Sequence, residues 1–157
     1  MFSIPAFSTT HAFRRLKAQT LVAQNSKENN LNSEKKRILV VDDDVGILRV
    51  FKHILEREGY VVETAETGQD ALEKIGSEKF DVCLVDVRLP DMDGTDILLN
   101  MVNDYRTIKI VVTGFSTGEI GKKAADYGAD DFLVKPVKPE ELIATVHDCL
   151  IIREHES

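Results

Sequence analysis

The sequence has few cysteines and no long apolar run, and both absences exclude classes of protein. Its two cysteines, Cys83 and Cys149, lie far apart, which excludes a disulfide framework and a cysteine zinc site. Both are flanked by apolar residues, so we expect reduced thiols in the core of a cytoplasmic protein. No stretch approaches the ~18 apolar residues of a transmembrane segment. With 43% hydrophobic residues, the chain nevertheless has ordinary globular composition.

Acidic residues are scarce in the first part of the chain and abundant in the rest. Residues 1–37 carry seven Lys or Arg and two Asp or Glu, whereas residues 38–157 carry 13 and 25. An acidic domain argues against direct nucleic acid binding, because such binding relies on clustered Lys and Arg. The charge favours a cation site or a basic protein partner.

The basic segment, residues 1–36, is predicted to be a disordered N-terminal extension and linker. Residues 24–36 are polar and lack an apolar period, which is typical of a linker. The residues before them contain no acid and carry Arg14, Arg15 and Lys17. Their order excludes a secretory signal, because basic residues would have to precede the apolar run. An organelle-targeting segment, weak docking to a membrane surface or partner, a disordered tail and an over-long start all stay open.

From residue 38 onward, short apolar runs alternate with stretches of helical period. The runs predict buried strands, and the periodic stretches predict helices, three of which end at glycines 59, 76 and 128. The predicted strands span residues 38–41, 60–64, 80–85, 108–112 and 132–134, and the predicted helices span 45–58, 70–75, 95–102, 117–127 and 140–152. Five strands alternating with five helices predict an α/β fold, a doubly wound five-stranded parallel sheet.

The chemically distinctive side chains follow the predicted strands. In a doubly wound sheet, residues at the carboxyl ends of the strands meet at one edge, where ligands collect. Converging carboxylates repel one another unless a cation joins them, and Mg²⁺ prefers oxygen ligands. A carboxylate beside Mg²⁺ can attack phosphorus, while an ammonium and a hydroxyl offset the charge of the transferring group. The residues concerned are Asp42, Asp43 and Asp44 after the first strand, Asp86 after the third, Thr113 after the fourth and Lys135 after the fifth.

Four motifs resemble the receiver domain of two-component response regulators, over about residues 37–153. They are ILVVDDD at 38–44, LVDVRLPDMDG at 84–94, IVVTG at 110–114 and DFLVKP at 131–136. The resemblance implies a flavodoxin-like fold of the receiver type and phosphorelay signal transduction through an aspartyl phosphate. It also implies Mg²⁺, or Mn²⁺, as cofactor. Residues 154–157 would then be a short C-terminal tail.

The resemblance implies a role for each site residue. Asp86 is the implied phosphoacceptor, and Thr113 and Lys135 are the implied contacts of the phosphoryl group. The implied metal ligands are Asp42, Asp43, Asp86 and the backbone carbonyl of Arg88. Thr113 and Phe132 form the implied switch, in which Phe132 lacks the hydroxyl of the Tyr found in many relatives. The Lys135–Pro136 bond is a candidate cis peptide.

Two alternatives compete with this assignment. Asp43 or Asp44 could cap the following helix, a common role of Asp, and capping by Asp44 is compatible with metal binding by Asp43. The run Asp91-Met92-Asp93-Gly94-Thr95 also spells DxDGT, the nucleophile signature of haloacid-dehalogenase-type phosphatases. That chemistry needs the first Asp at the end of a buried strand, whereas the predicted strand has already ended at Asp86.

The predicted function is that of a stand-alone response regulator, because few residues follow the last helix and no output domain fits there. It would be a phosphoacceptor signalling protein, not an enzyme, with intrinsic autophosphorylation and autodephosphorylation. The expected donor is a sensor histidine kinase or a histidine phosphotransfer protein, and the expected target binds at about residues 117–150. A phosphorelay carrier and a non-phosphorylated pseudo-receiver that only binds partners are the alternatives.

Overall fold

The computed structural model describes residues 6–24, 34–114 and 118–156. The strands within them form one parallel sheet in the order β2-β1-β3-β4-β5. The strands are β1 (Arg37–Val41), β2 (Val61–Ala65), β3 (Val82–Asp86), β4 (Ile108–Thr113) and β5 (Asp131–Val134). The helices are α1 (Ala6–Gln24), α2 (Val45–Arg57), α3 (Gly68–Ser77), α4 (Gly94–Asn100), α5 (Gly118–Asp126) and α6 (Pro139–Glu156). The predicted five-stranded α/β fold is confirmed.

Both faces of the sheet are buried, which explains why its strands are almost continuously apolar. In β1, Ile38 and Val40 join the core cluster shared with α2 and α6, whereas Leu39 and Val41 join the cluster shared with α3 and α4. Cys83 and Cys149 are buried and form no disulfide, as predicted.

The glycine signals were right at two positions and wrong at one. Gly59 and Gly128 have φ values of +95° and +88°, in the left-handed region that glycine adopts without strain after a helix. The predicted end of a helix at Gly76 is wrong, because α3 continues to Ser77. The same helix begins two residues earlier than predicted, since the Thr67 side chain accepts a hydrogen bond from the Asp70 backbone N–H.

The N-terminal extension differs most from its prediction. The expected disorder is wrong over Ala6–Gln24, where the chain forms α1 and packs against α6 and β5. The structure thus has six helices in its described residues, not five. Residues 1–5 and 25–33 of the predicted extension lie outside the described residues. The predicted C-terminal tail is also wrong over 154–156, which continue α6.

Among the residues that the structure describes, no helix is both long and apolar enough to cross a membrane.

Candidate functional site

The three consecutive carboxylates of the loop after β1 make different contacts. Asp44 is the N-cap of α2 and accepts hydrogen bonds from the backbone N–H groups of Gly46 (2.8 Å) and Ile47 (3.3 Å). Asp42 is 3% exposed and accepts the Asp44 backbone N–H at 2.9 Å. Asp43 is exposed. Helix capping therefore uses Asp44 and leaves Asp42 and Asp43 at the sheet edge.

Three carboxylates converge where β1 and β3 end side by side. Asp86 is the last residue of β3, and its side chain is buried beside that of Asp42. One ligand atom from each of Asp42, Asp43 and Asp86 lies within 4.8 Å of the others. The convergence predicted from the strand ends is confirmed, and Asp43 is its solvent-facing member.

Lys135 links the two buried carboxylates. Its Nζ donates to Asp42 Oδ2 at 2.6 Å and to Asp86 Oδ2 at 2.7 Å. The residue directly follows β5, and its backbone N–H donates to the Thr113 carbonyl at 2.8 Å. The Lys135–Pro136 peptide is cis, as expected. The end of β5 thereby places an ammonium group over the ends of β1 and β3.

The charges of the site are not balanced. Burial raises the pKa of Asp42, and the nearby Asp86 adds to this effect, although hydrogen bonds from Lys135 and the Asp44 backbone oppose it. Burial alone would lower the pKa of Lys135, but its hydrogen bonds to Asp42 and Asp86 outweigh that effect and raise the pKa. One ammonium thus faces three carboxylates, and negative charge is in excess.

This donor set fits a small divalent cation. All three groups offer carboxylate oxygens, which are the hard ligands that Mg²⁺ and Mn²⁺ prefer, and Asp43 leaves one side open to water. A cation there would supply the charge that a single lysine cannot.

The loop after β3 is held against the backbone of Asp86. The Gly94 N–H donates to the Val87 carbonyl at 2.7 Å, and a Cβ at Gly94 would lie 1.8 Å from the Asp86 carbonyl oxygen. The Arg88 backbone N–H donates to Asp86 Oδ1 at 3.1 Å, which orients that carboxylate. Only a residue without a side chain at position 94 permits the close approach to the Asp86 carbonyl oxygen.

The acids of the DxDGT run serve as helix caps. Asp91 accepts the backbone N–H groups of Gly68 and Gln69 at the start of α3. Asp93 is the N-cap of α4, and its other oxygen pairs with Lys123 of α5 at 3.0 Å. The phosphatase alternative requires its first Asp to lie at the end of a buried strand, and neither Asp91 nor Asp93 lies there. Sequence reasoning missed the capping by Asp91 and Asp93 and the Asp93–Lys123 ion pair; Asp93 directly before a helical run was the one available signal.

The two predicted switch residues lie on neighbouring strands. Thr113 is fully buried at the end of β4 and pairs in register with Val134, the residue before Lys135. Phe132 is partly buried and packs with Ile120 and Tyr127 in the cluster beneath α5. The site is thereby connected to α5 through β4 and β5, while residues 115–117 lie outside the described residues.

Comparison with known proteins agrees with this geometry. The family model for the response regulator receiver domain matches residues 38–147. The alginate biosynthesis transcriptional regulatory protein AlgB of Pseudomonas aeruginosa is 39% identical over 124 residues, which are 78% of this chain and 28% of AlgB. The alkaline phosphatase synthesis transcriptional regulatory protein PhoP of Bacillus subtilis is 38% identical, over 71% of this chain and 47% of PhoP. The chain spans less than half of the length of these curated relatives.

Solved structures show the same fold. A CheY-like receiver domain protein from Methanospirillum hungatei JF-1 superposes with a TM-score of 0.76 at 42% identity, over 79% of this chain and all of that chain. The BeF3-activated DrrB receiver domain superposes with a TM-score of 0.67 at 37% identity, over 72% and 95%. The flavodoxin-like fold is thus confirmed. The chain belongs to the receiver domains of response regulators, the phosphoacceptor modules of two-component signalling.

Proposed function

We propose that this receiver accepts a phosphoryl group on Asp86 and that the phosphorylated form binds partners differently. The observation that carries the proposal is the position of Lys135 Nζ between Asp42 and Asp86, with Asp43 beside them. Asp86 is buried, held by its neighbours and surrounded by excess negative charge, which suits a nucleophile that works beside a cation.

In the proposed transfer, an Asp86 carboxylate oxygen attacks the phosphorus of a phosphohistidine. The new O–P bond forms as the N–P bond breaks, and the imidazole keeps the electron pair of that bond and takes a proton from water. Lys135 offsets charge on the transferring group, and the Thr113 hydroxyl donates a hydrogen bond to it. Asp42, Asp43, Asp86 and the Arg88 carbonyl would hold Mg²⁺, which supplies further charge neutralisation when bound.

The same groups would also connect phosphorylation of Asp86 to a change in the partner surface. A group on Asp86 would draw Lys135 and the Thr113 hydroxyl towards it and thereby change the contacts below α5, where Phe132 packs. Differential contacts of this kind are what shift a two-state surface. The proposed partner surface is residues 117–150, of which 118–150 are described. Action as a single-domain regulator in the cytoplasm stays a prediction from the sequence.

The test is intact mass after incubation with acetyl phosphate and Mg²⁺. We expect the wild-type protein to gain one acid- and base-labile phosphoryl group and Asp86→Asn to gain none. Asp44→Asn is the matched control, because Asn caps helices as well as Asp does and this carboxylate is not in the proposed site.

An adduct on Asp86→Asn, or none on a folded wild-type protein, would contradict the proposal. Amide hydrogen exchange on the phosphorylated protein then tests the readout. We expect exchange to change over α5 and β5 and to stay constant over α2; an unchanged α5 would contradict the proposed partner switching.

A further inference from the structure

Helix α1 lies along a cleft formed by α6 and the start of β5. Among the α1 side chains that the structure describes, three are buried or partly buried: Arg14, Ala18 and Leu21. They follow one another at helical spacing. Ala18 is fully buried. Phe13 and Leu16 are 68% and 63% exposed. The helix therefore presents a single face to the cleft.

Arg14 is the deepest charged contact of α1. Its Nη1 lies 3.3 Å from Asp131 Oδ2 and donates to Cys149 Sγ at 3.4 Å. Asp131 is 1% exposed at the first position of β5. A carboxylate this deeply buried needs a cation or several hydrogen bonds, and a guanidinium suits that role.

Weaker pairs line the rim of the cleft. Lys17 Nζ lies 2.8 Å from Glu156 Oε1, and both side chains are about half exposed. The described sequence of α1 contains no acidic residue, whereas residues 38–157 are strongly acidic. The helix and its docking surface are thus opposite in charge.

The fit of α1 to the cleft is incomplete. A cavity of about 200 Å³, open to solvent on one side, remains between them. Its lining combines Phe13, Ile108, Cys149 and Ile152 with the charged residues Arg14, Lys17, Asp130, Arg153 and Glu156. Unfilled volume weakens the attachment of a packed element, because the atoms that line it lose contacts. A few charged contacts, the small buried Ala18 and the partly buried Leu21 therefore attach α1 to the domain.

We propose that the cleft between β5 and α6 is a receptor site for an acid-free, arginine-bearing helix, and that α1 fills this site in cis and can leave it without global unfolding. Asp130, Asp131 and Cys149 border the cleft and lie within the proposed partner surface, residues 117–150. Docked α1 thus excludes any partner helix that needs the same residues. The site itself requires no phosphoryl group, so its test is independent of the chemistry at Asp86.

The reactivity of the two native cysteines can show whether α1 occupies the cleft. Burial raises the pKa of Cys149 to about 12 even though Arg14 acts to lower it, and burial raises the pKa of Cys83 to about 12 as well. Cys149 lies under α1, whereas Cys83 lies on the other face of the sheet. Release of α1 alone would therefore expose the first thiol and leave the second protected.

The experiment follows thiol labelling of the full chain by mass spectrometry, without phosphoryl donor. In wild-type protein at urea concentrations below the unfolding transition, we expect Cys149 to react before Cys83. Arg14→Glu is expected to raise the Cys149 rate by about tenfold or more, because it places a like charge against Asp131. Arg15→Glu makes the same change of charge on an exposed position of α1 and is expected to leave the rate unchanged.

A synthetic peptide of residues 6–24 tests the receptor site directly. We expect it to restore protection of Cys149 in Arg14→Glu, and a peptide carrying the same substitution to have no effect. Equal rates for the two thiols in wild-type protein would overturn the proposal, because α1 would then leave only on global unfolding. So would a failure of the peptide to protect Cys149. A wild-type rate that falls with protein concentration would show that a second copy's α1 fills the cleft and would overturn the cis assignment.

Discussion

Two regions of this protein bury an Asp against a cation, and they differ in how their charges balance. At the carboxyl edge of the sheet, Lys135 serves Asp42 and Asp86 at once, with Asp43 nearby. Under α1, Arg14 faces the buried Asp131, while Asp130 is paired with Arg153 at 2.8 Å. The first region lacks positive charge and the second is nearly neutral.

The difference separates the proposed phosphoacceptor site from a contact that attaches a helix. Excess carboxylates are costly to bury, and a protein retains them where a metal or a charged substrate completes the set. In a one-to-one ion pair the two charges neutralise each other, and the pair helps to attach one element of the fold to another. Local charge balance therefore distinguishes the two regions better than burial does, since both contain an Asp that is almost fully buried.

Exchange of each cation for Met gives the largest contrast. Lys135→Met is expected to slow phosphorylation by acetyl phosphate by about 100-fold, the usual effect of removing one stabilising donor at a reacting centre. Arg14→Met, on the same assay of intact mass against time, should stay within about twofold of wild type. Equal slowing by both substitutions would show that the two regions are not functionally distinct.

Neutralising one carboxylate in each region should change stability in opposite directions. Asp131→Asn keeps an oxygen for the Phe132 N–H but removes the charge that pairs with Arg14, so we expect a loss of about 2 kcal/mol in the free energy of unfolding. Asp42→Asn keeps an oxygen for the Asp44 N–H and relieves repulsion, so we expect a gain of about 1 kcal/mol without Mg²⁺. Urea unfolding measures both, and a loss in both variants would refute the contrast.

Magnesium should stabilise one region only. At ten times its dissociation constant, a ligand of the native state raises the free energy of unfolding by about 1.4 kcal/mol. We expect this gain in wild type and in Asp44→Asn, but not in Asp43→Asn, whose exposed carboxylate belongs to the converging set. Thermal or urea unfolding with and without Mg²⁺ provides the measurement. A full gain in Asp43→Asn would remove that residue from the site.

The rim of the α1 cleft should give the smallest effect. The hydrogen bond from Lys17 lowers the pKa of Glu156, so its stabilisation is present above the ordinary carboxyl pKa of 4.5 and is lost as pH falls through the lowered value. Glu156→Gln should therefore cost only a few tenths of a kcal/mol at pH 7, because the pair is exposed. The difference from wild type should shrink as the pH falls below 4.5, and a difference that grows there would contradict the assigned sign.

Most of the sheet and its site could be predicted from the sequence because both follow from local pattern. Alternation of apolar runs and helical periods predicted a doubly wound parallel sheet, and the position of Asp86 and Lys135 at strand ends predicted that they meet at one edge. Capping by Asp44 was one of the two possibilities that the preference of Asp for helix caps left open, and the structure shows it. Each of these signals lies within a few residues of the feature it predicts.

What escaped prediction depends on distant contacts. Helix α1 lacks a clear separation of apolar and polar faces, since Phe13 and Leu16 point outward and Arg14 points inward, so only its docking on α6 defines it. Likewise, Asp91 caps a helix that starts 23 residues earlier in the chain. Neither segment contains a periodic pattern that would predict these distant contacts.

The close approach of Gly94 to the Asp86 carbonyl has a consequence for mutagenesis of this protein. Position 94 has no side chain that could react or carry charge, yet even a methyl group there would collide with the main chain. A saturation library should therefore lose nearly every variant at this codon, as completely as at Asp86, the proposed acceptor. Intolerance at position 94 would be a matter of space and not of chemistry.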